Sequence, residues 1–89
     1  MTLRIHNWEF DHQSYDSDAD VLYLSIGAPH PGVGEETREG HVLRYDEDGN
    51  LIGLTLIDVR ELIDAEGGIR ITIPSETRIA TEDIETALA

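Results

Sequence analysis

Apolar and polar positions alternate in short extended runs along most of this chain, broken by acidic and glycine-rich turns, and only two stretches fit a helical spacing. The first run, "LRIHNWEFDHQSYD", changes phase on the way: Leu3 and Ile5 share one parity, Trp8 and Phe10 the other. Because the side chains of a regular strand keep a period of two, either a bulge near His6 and Asn7 or a meeting of two short extended pieces is required there. "DSDAD", residues 16–20, reads as a polar turn. "VLYLSIG" is apolar on both parities and rich in strand formers, which predicts a central strand ending at Gly27. With two prolines and two glycines, "APHPGVG" (28–34) continues neither a ladder nor a helix and is read as a loop.

"EETREGHVLRYD" resumes an extended pattern, and across "DEDGN" the strand "LIGLTLIDV" completes the best hairpin signal in the chain. Asp58 and Glu61 then take the form of a capping box that opens a short helix over "VRELID", stopped by "EGG". In "IRITI" the residues Ile69, Ile71 and Ile73 alternate inward, and Pro74 closes the strand. Thr81 is placed to cap a last helix, with Glu82 and Asp83 at its positive end and Ile84 and Leu88 on one face. Five extended segments and two short helices, the last at the C-terminus, give an α+β fold led by a small antiparallel meander. At 89 residues the chain is a single domain, 1–89, since a second core would leave each half too little apolar surface to bury. There is no internal repeat and no low-complexity segment.

Charge narrows the partners. Nineteen acidic residues face six basic ones, all arginine, for a formal net charge of −13. Such a field repels phosphate backbones, so no nucleic-acid partner is expected. A solvated acidic surface, an adaptation to a salt-rich cytoplasm and a surface that steers a basic protein partner all fit the balance. Cysteine is absent, which removes disulfides, thiolate metal sites and thiol nucleophiles together. No apolar run approaches the roughly 18 residues of a membrane span, and "MTLRIHNWEF" lacks the features of a signal peptide. No membrane association and a cytoplasmic location are expected.

The acidic turns invite a metal reading that counting removes. A helix-loop-helix calcium site needs oxygen ligands at positions 1, 3 and 5, glycine at 6 and glutamate at 12. From Asp46 those last two places hold Leu51 and Ile57; from Asp16 they hold Val21 and Gly27. A turn explains "DEDGN" without a ligand, because Asp and Asn hydrogen-bond nearby backbone and Gly49 supplies a positive φ. Of the four histidines, His6 and His12 are roughly 20 Å apart along a strand, too far to share an ion. His41, between Leu43 and Tyr45 in parity, is expected to be a half-buried hairpin residue, and His30 in the proline-rich loop is the most accessible. Ser14, Ser25 and Ser75 lack a nucleophile frame, and no phosphate loop, dinucleotide fingerprint or H-E-x-x-H is present. No residue is therefore assigned as catalytic, cofactor-binding or metal-ligating, and no cofactor is expected.

At "YDSDADVLYLSI" and "EGHVLRYDEDGNLIGLTLID" the chain resembles a family of small, mostly prokaryotic proteins, the domain of unknown function 2283. The residues that carry the resemblance are Tyr15, Asp16, Asp18, Ala19, Leu22 and Tyr23, then Tyr45, Asp46, Asp48, Gly49, Gly53 and Asp58, a family-like core of about 15–58. The resemblance implies a small β-rich fold, no assigned activity and an antitoxin-like role beside a toxin. This chain departs from the pattern after Asp58, where "VREL" replaces small residues. The function expected from all of this is a non-enzymatic protein-interaction module acting as a homodimer, with a basic protein as a further partner. The alternatives are an antitoxin-like regulator of a basic toxin and an unrecognised enzyme or divalent-cation-binding protein, the latter signalled by a pocket that brings His30 or His41 to converging carboxylates.

Overall fold

A computed structural model describes residues 3–5, 8–28, 32–73, 75–80 and 84–88, with the backbone alone at 73, 75–80, 85 and 86. The chain runs β1 (Leu3–Ile5), β2 (Trp8–Phe10), β3 (His12–Asp16), β4 (Val21–Ser25), β5 (Val33–Glu36), β6 (Val42–Tyr45), β7 (Leu51–Ile57), α1 (Val59–Glu66), β8 (Gly68–Ile73) and β9 (Ser75–Ala80), then a short 3-10 turn, Glu85–Leu88. Strands β3-β4-β7-β6-β5 form a five-stranded antiparallel sheet in that order, while β1-β2 and β8-β9 are separate two-stranded ribbons.

The phase change near the N-terminus is resolved by pairing. β1 and β2 face each other with Leu3 opposite Phe10 and Ile5 opposite Trp8, so apolar residues of unlike parity meet on one face. Residues 6 and 7 lie outside the described part. In the large sheet, Leu22, Leu24, Leu43, Leu54 and Leu56 point to one side, where they join Leu3, Ile5, Phe10, Val59, Ile69, Ile71, Ile84 and Leu88 in a single core. The ribbons, α1 and the C-terminal turn thus seal one face of the sheet; α1 packs on β8 and the 3-10 turn on β3.

The two acidic hairpin turns, at opposite ends of the sheet, share a chemistry. In "DEDGN" the Asp46 carboxylate accepts from the N–H groups of Asp48 (3.0 Å) and Asn50 (2.9 Å), and Gly49 takes φ 83°. In "DSDAD" the Asp16 carboxylate accepts from the N–H groups of Asp18 (3.0 Å) and Ala19 (3.2 Å), and the left-handed residue is Asp20, φ 59°. The acidic residues of both loops are turn formers, as their spacing suggested.

Four expectations change. One α-helix, not two, stands among the described residues: their C-terminal stretch is Ile84 followed by the 3-10 turn Glu85–Leu88, a form common at helix ends. The proposed cap, Thr81, and residues 82 and 83 lie outside the described part. Val33 and Gly34, assigned to a loop, belong to β5, and the extended run from Glu35 to Asp46 folds back at Thr37–Gly40, where the Thr37 side chain and backbone both bond His41. A strand nobody would draw from "SETRIA", β9, pairs with β8 along its length; Pro74 itself is outside the described residues.

The fourth change concerns the cap of α1. Asp58 has φ 56° and makes no side-chain cap bond. Asp20, some forty residues earlier, does the work instead. Its carbonyl accepts from Val59 N–H (3.2 Å) and its two carboxylate oxygens from Arg60 N–H (2.8 Å) and Glu61 N–H (3.2 Å). Three consecutive orphan donors of the first helical turn are thereby met by one anionic residue at the positive end of the helix. The Tyr15 hydroxyl donates to the same carboxylate at 2.8 Å. Burial pushes the Asp20 pKa up, but the hydrogen bonds from Arg60 N–H, the Tyr15 hydroxyl and Glu61 N–H, with the Arg60 charge, outweigh it and hold the group below its ordinary value.

This arrangement separates two substitutions. Asp20→Ala removes the cap and is expected to cost about 2 kcal/mol, whereas Asp58→Gly relieves a left-handed Asp and is expected to be neutral or slightly stabilising. Urea midpoints check both; a loss at Asp58 with none at Asp20 would restore the local capping box.

Candidate functional site

The second face of the five-stranded sheet carries none of the core cluster. Register places Val21, Tyr23 and Ser25 of β4 beside Ile57, Thr55 and Gly53 of β7, with Val42 and Arg44 of β6 next in line. Side chains of a strand alternate between faces, so sealing Leu22 and Leu24 on one face commits these neighbours to the other, where Val21 and Gly53 are buried and Ser25, Val42, Thr55 and Ile57 half-buried. Tyr23, at the middle of the face, is 49% exposed. No carboxylate projects from this side of β4, β7 or β6; by register the acids of the face, Asp16 and Glu36, stand on the edge strands β3 and β5.

One end of the face is hollow. Ile52 is an extra residue where the β6–β7 register slips between Arg44 and Tyr45, and it helps Ile26 wall a cavity of about 170 Å³. Tyr23, Ser25, Thr55 and Arg44 supply its polar groups. Among the described residues its lining has an arginine and three hydroxyl side chains and neither a histidine nor a carboxylate, residues 29–31 lying outside the described part. That donor set suits hydrogen bonding to an anion; it does not hold a divalent cation, and no group of three or more metal-ligating side chains converges among the described residues.

The histidines fall elsewhere. His12 is exposed on β3, 3.8 Å from the Asp11 carboxylate; His6 and His30 lie outside the described residues. His41, expected to be half-buried, is 1% exposed: it precedes β6 by one residue and shares the inward parity of Leu43, and its ring bonds the Ile57 backbone. Its Nδ1 accepts the Ile57 N–H at 3.0 Å, which places the ring proton on Nε2, and that buried Nε2 has no partner. Burial therefore pushes the His41 pKa down, opposed by the nearby charges of Glu39 and Asp58. Glu39 in turn accepts from the N–H (3.0 Å) and hydroxyl (2.7 Å) of Thr72, tying the β5–β6 turn to the covering ribbon. The double apolar parity of β4 and β7 signalled a sheet with more apolar surface than its covering elements hide; the register adds which residues share the open face.

The family described as "Protein of unknown function (DUF2283)" matches residues 13–60. This span starts in β3, takes in every other strand of the large sheet with both acidic turns, and ends on the Arg60 that Asp20 caps. The chain belongs to DUF2283. No curated protein and no solved structure matches it. The DUF2283 span contains the whole open face and its cavity except His12 of the edge strand, while β1, β2, β8 and β9, which seal the other face, fall outside it. Among the described residues no helix is long and apolar enough to cross a membrane.

The buried imidazole yields a pH dependence. In the unfolded chain His41 titrates near its ordinary 6.5, and in the fold below that. Under about pH 6.5 the unfolded state binds the extra proton, so stability is full above that value and falls on acidification, by at most about 1.4 kcal/mol per pH unit. The depressed carboxylates of Asp20 and Glu39 lose their contribution only below their ordinary 3.8 and 4.5. Denaturant titrations from pH 8 to 5 should show this fall in the native protein and a flattened one in His41→Gln.

Proposed function

We propose that this protein is a non-enzymatic interaction module that self-associates as a homodimer through the open face of its large sheet. The observation that carries the reading is Tyr23, 49% exposed at the centre of a face whose reverse side is sealed. Half-buried Val42, Thr55 and Ile57 surround it, with Val21 buried at 9% exposure beneath them, and the acids of the face stand at its edges. An apolar middle with a rigid aromatic and a charged rim is the anatomy of a protein interface. Among the described residues the cavity offers donors and no carboxylate or histidine to act as base, which supports binding rather than turnover.

The face also sets the strength of the contact. Five strands about 4.8 Å apart, each of about five residues at 3.3 Å, span roughly 300 Å² in projection. Standard interfaces bury about 800 Å² per partner, so a contact confined to this face is small and a weak association is expected. The acidic surface away from this face is where a basic protein partner would dock.

Light scattering behind a sizing column tests the reading. The mass is expected to rise above 9.9 kDa as loading concentration rises from about 10 to about 500 µM. Tyr23→Glu, which sets a charge at the centre of the face, should hold the mass at the monomer value with an unchanged circular dichroism spectrum. A native mass of 9.9 kDa at every concentration overturns the proposal.

A further inference from the structure

We infer that Arg44 makes the open sheet face selective for an acidic occupant, a second copy of this chain, by taking a carboxylate from the facing molecule. The inference rests on the self-association reading above and names what decides the partner.

Arg44 projects onto the open face between two residues without side chains, Gly34 on β5 and Gly53 on β7. A Cβ added at Gly53 would stand 3.2 Å from the Leu24 carbonyl oxygen, 3.6 Å from Arg44 Cβ and 3.7 Å from Arg44 Cδ, so the arginine stem lies over the space that glycine leaves. Among the described residues the guanidinium has no ion-pair partner, in a chain with nineteen acids. The cavity it shares with the hydroxyls of Tyr23, Ser25 and Thr55 has about 170 Å³, space for roughly six waters at 30 Å³ each. That admits one side-chain carboxylate with its methylenes. A guanidinium fork takes a carboxylate through two parallel hydrogen bonds, and the hydroxyls can donate to the lone pairs left over.

The same charge sorts the occupants. A basic partner would bring cations against the one arginine of this face and leave that guanidinium desolvated and unpaired, a repulsive element against it. In a face-to-face pair the second copy presents the same face, whose own acids, Asp16 on β3 and Glu36 on β5, are the carboxylates that meet Arg44 across the twofold axis. Twofold symmetry then makes the contact twice, Arg44 of each copy to a carboxylate of the other. A single arginine, no lysine and a net charge of −13 disfavour a phosphate in its place. Self-association and a basic partner therefore use different surfaces of one molecule.

Sedimentation equilibrium on the full chain and on Arg44→Gln, Arg44→Lys and Tyr23→Glu tests this. At about 50 mM salt Arg44→Gln is expected to raise the dimer dissociation constant about tenfold, with Arg44→Lys between it and the native protein. Screening of net repulsion by salt is common to all of them, so the ratio of dissociation constants is read, and it should shrink towards 1 M salt. Sodium acetate in place of sodium chloride at equal ionic strength should weaken the native dimer and leave the Arg44→Gln dimer unchanged. A monomeric native chain overturns the self-association reading itself. A native dimer with an equal or tighter Arg44→Gln dimer, or one indifferent to acetate, overturns the role of Arg44 and leaves self-association standing. Acetate that binds at Arg44, seen as shifts of its side-chain resonances, without loosening the dimer would make the cavity a site for a free carboxylic acid and equally overturn the second copy as its occupant.

Discussion

The structure is governed by a shortage of cover. Among the described residues the core cluster lies entirely on one face of the five-stranded sheet, and none of it on the other. Two ribbons, one helix and a 3-10 turn close over Leu22, Leu24, Leu43, Leu54 and Leu56, and the core they build contains the buried residues of every covering element. What remains outside follows from strand geometry: if the even residues of β4 are sealed on one face, Val21, Tyr23 and Ser25 must take the other. The functional proposal is this geometric remainder considered as a surface.

Asp20 joins the parts. It ends a turn of the sheet in the left-handed conformation, accepts the Tyr15 hydroxyl, and caps the helix that begins the covering layer. Glu39 makes a second tie, from the turn at the other edge of the sheet to Thr72 of β8. Two carboxylates out of nineteen thus hold the layers together through hydrogen bonds to backbone, where charge strengthens the bond. The DUF2283 match spans the sheet and the capped helix start but not the ribbons, so the open face belongs to the shared unit and the cover to the remainder of the chain.

Much of this was legible in the residues. "DEDGN" reads as a turn because Asp, Asn and Gly each have a local reason to be there, and β6–β7 follows from the strands that flank it. The helix over "VRELID" is present too, with Gly67 at φ 73° stopping it. Its cap was misread because a carboxylate three residues from a helix start looks like a capping box, while a partner forty positions away leaves no local trace. β5 and β9 escaped for another reason: "VGEE" and "SETRIA" carry little apolar alternation, and their pairing comes from the neighbouring strand rather than from their own propensity. The burial of His41 depended on the inward parity it shares with Leu43, which the pattern suggests but only the fold of the Thr37–Gly40 turn fixes. Arg44 gave no signal at all, since its isolation is a property of the face and not of the sequence around it.

The central claim is that the uncovered face is the working surface, and the most direct measurement is a concentration series of amide and methyl NMR spectra on the native chain. Dilution from about 500 to about 10 µM shifts a weak association towards the monomer. Shifts concentrated at Val21, Tyr23, Val42, Thr55 and Ile57, with Leu22, Leu54 and Leu56 on the sealed face still, are what the structure predicts. Spectra that do not change with concentration, or shifts confined to the acidic turns at 16–20 and 46–50, would contradict it.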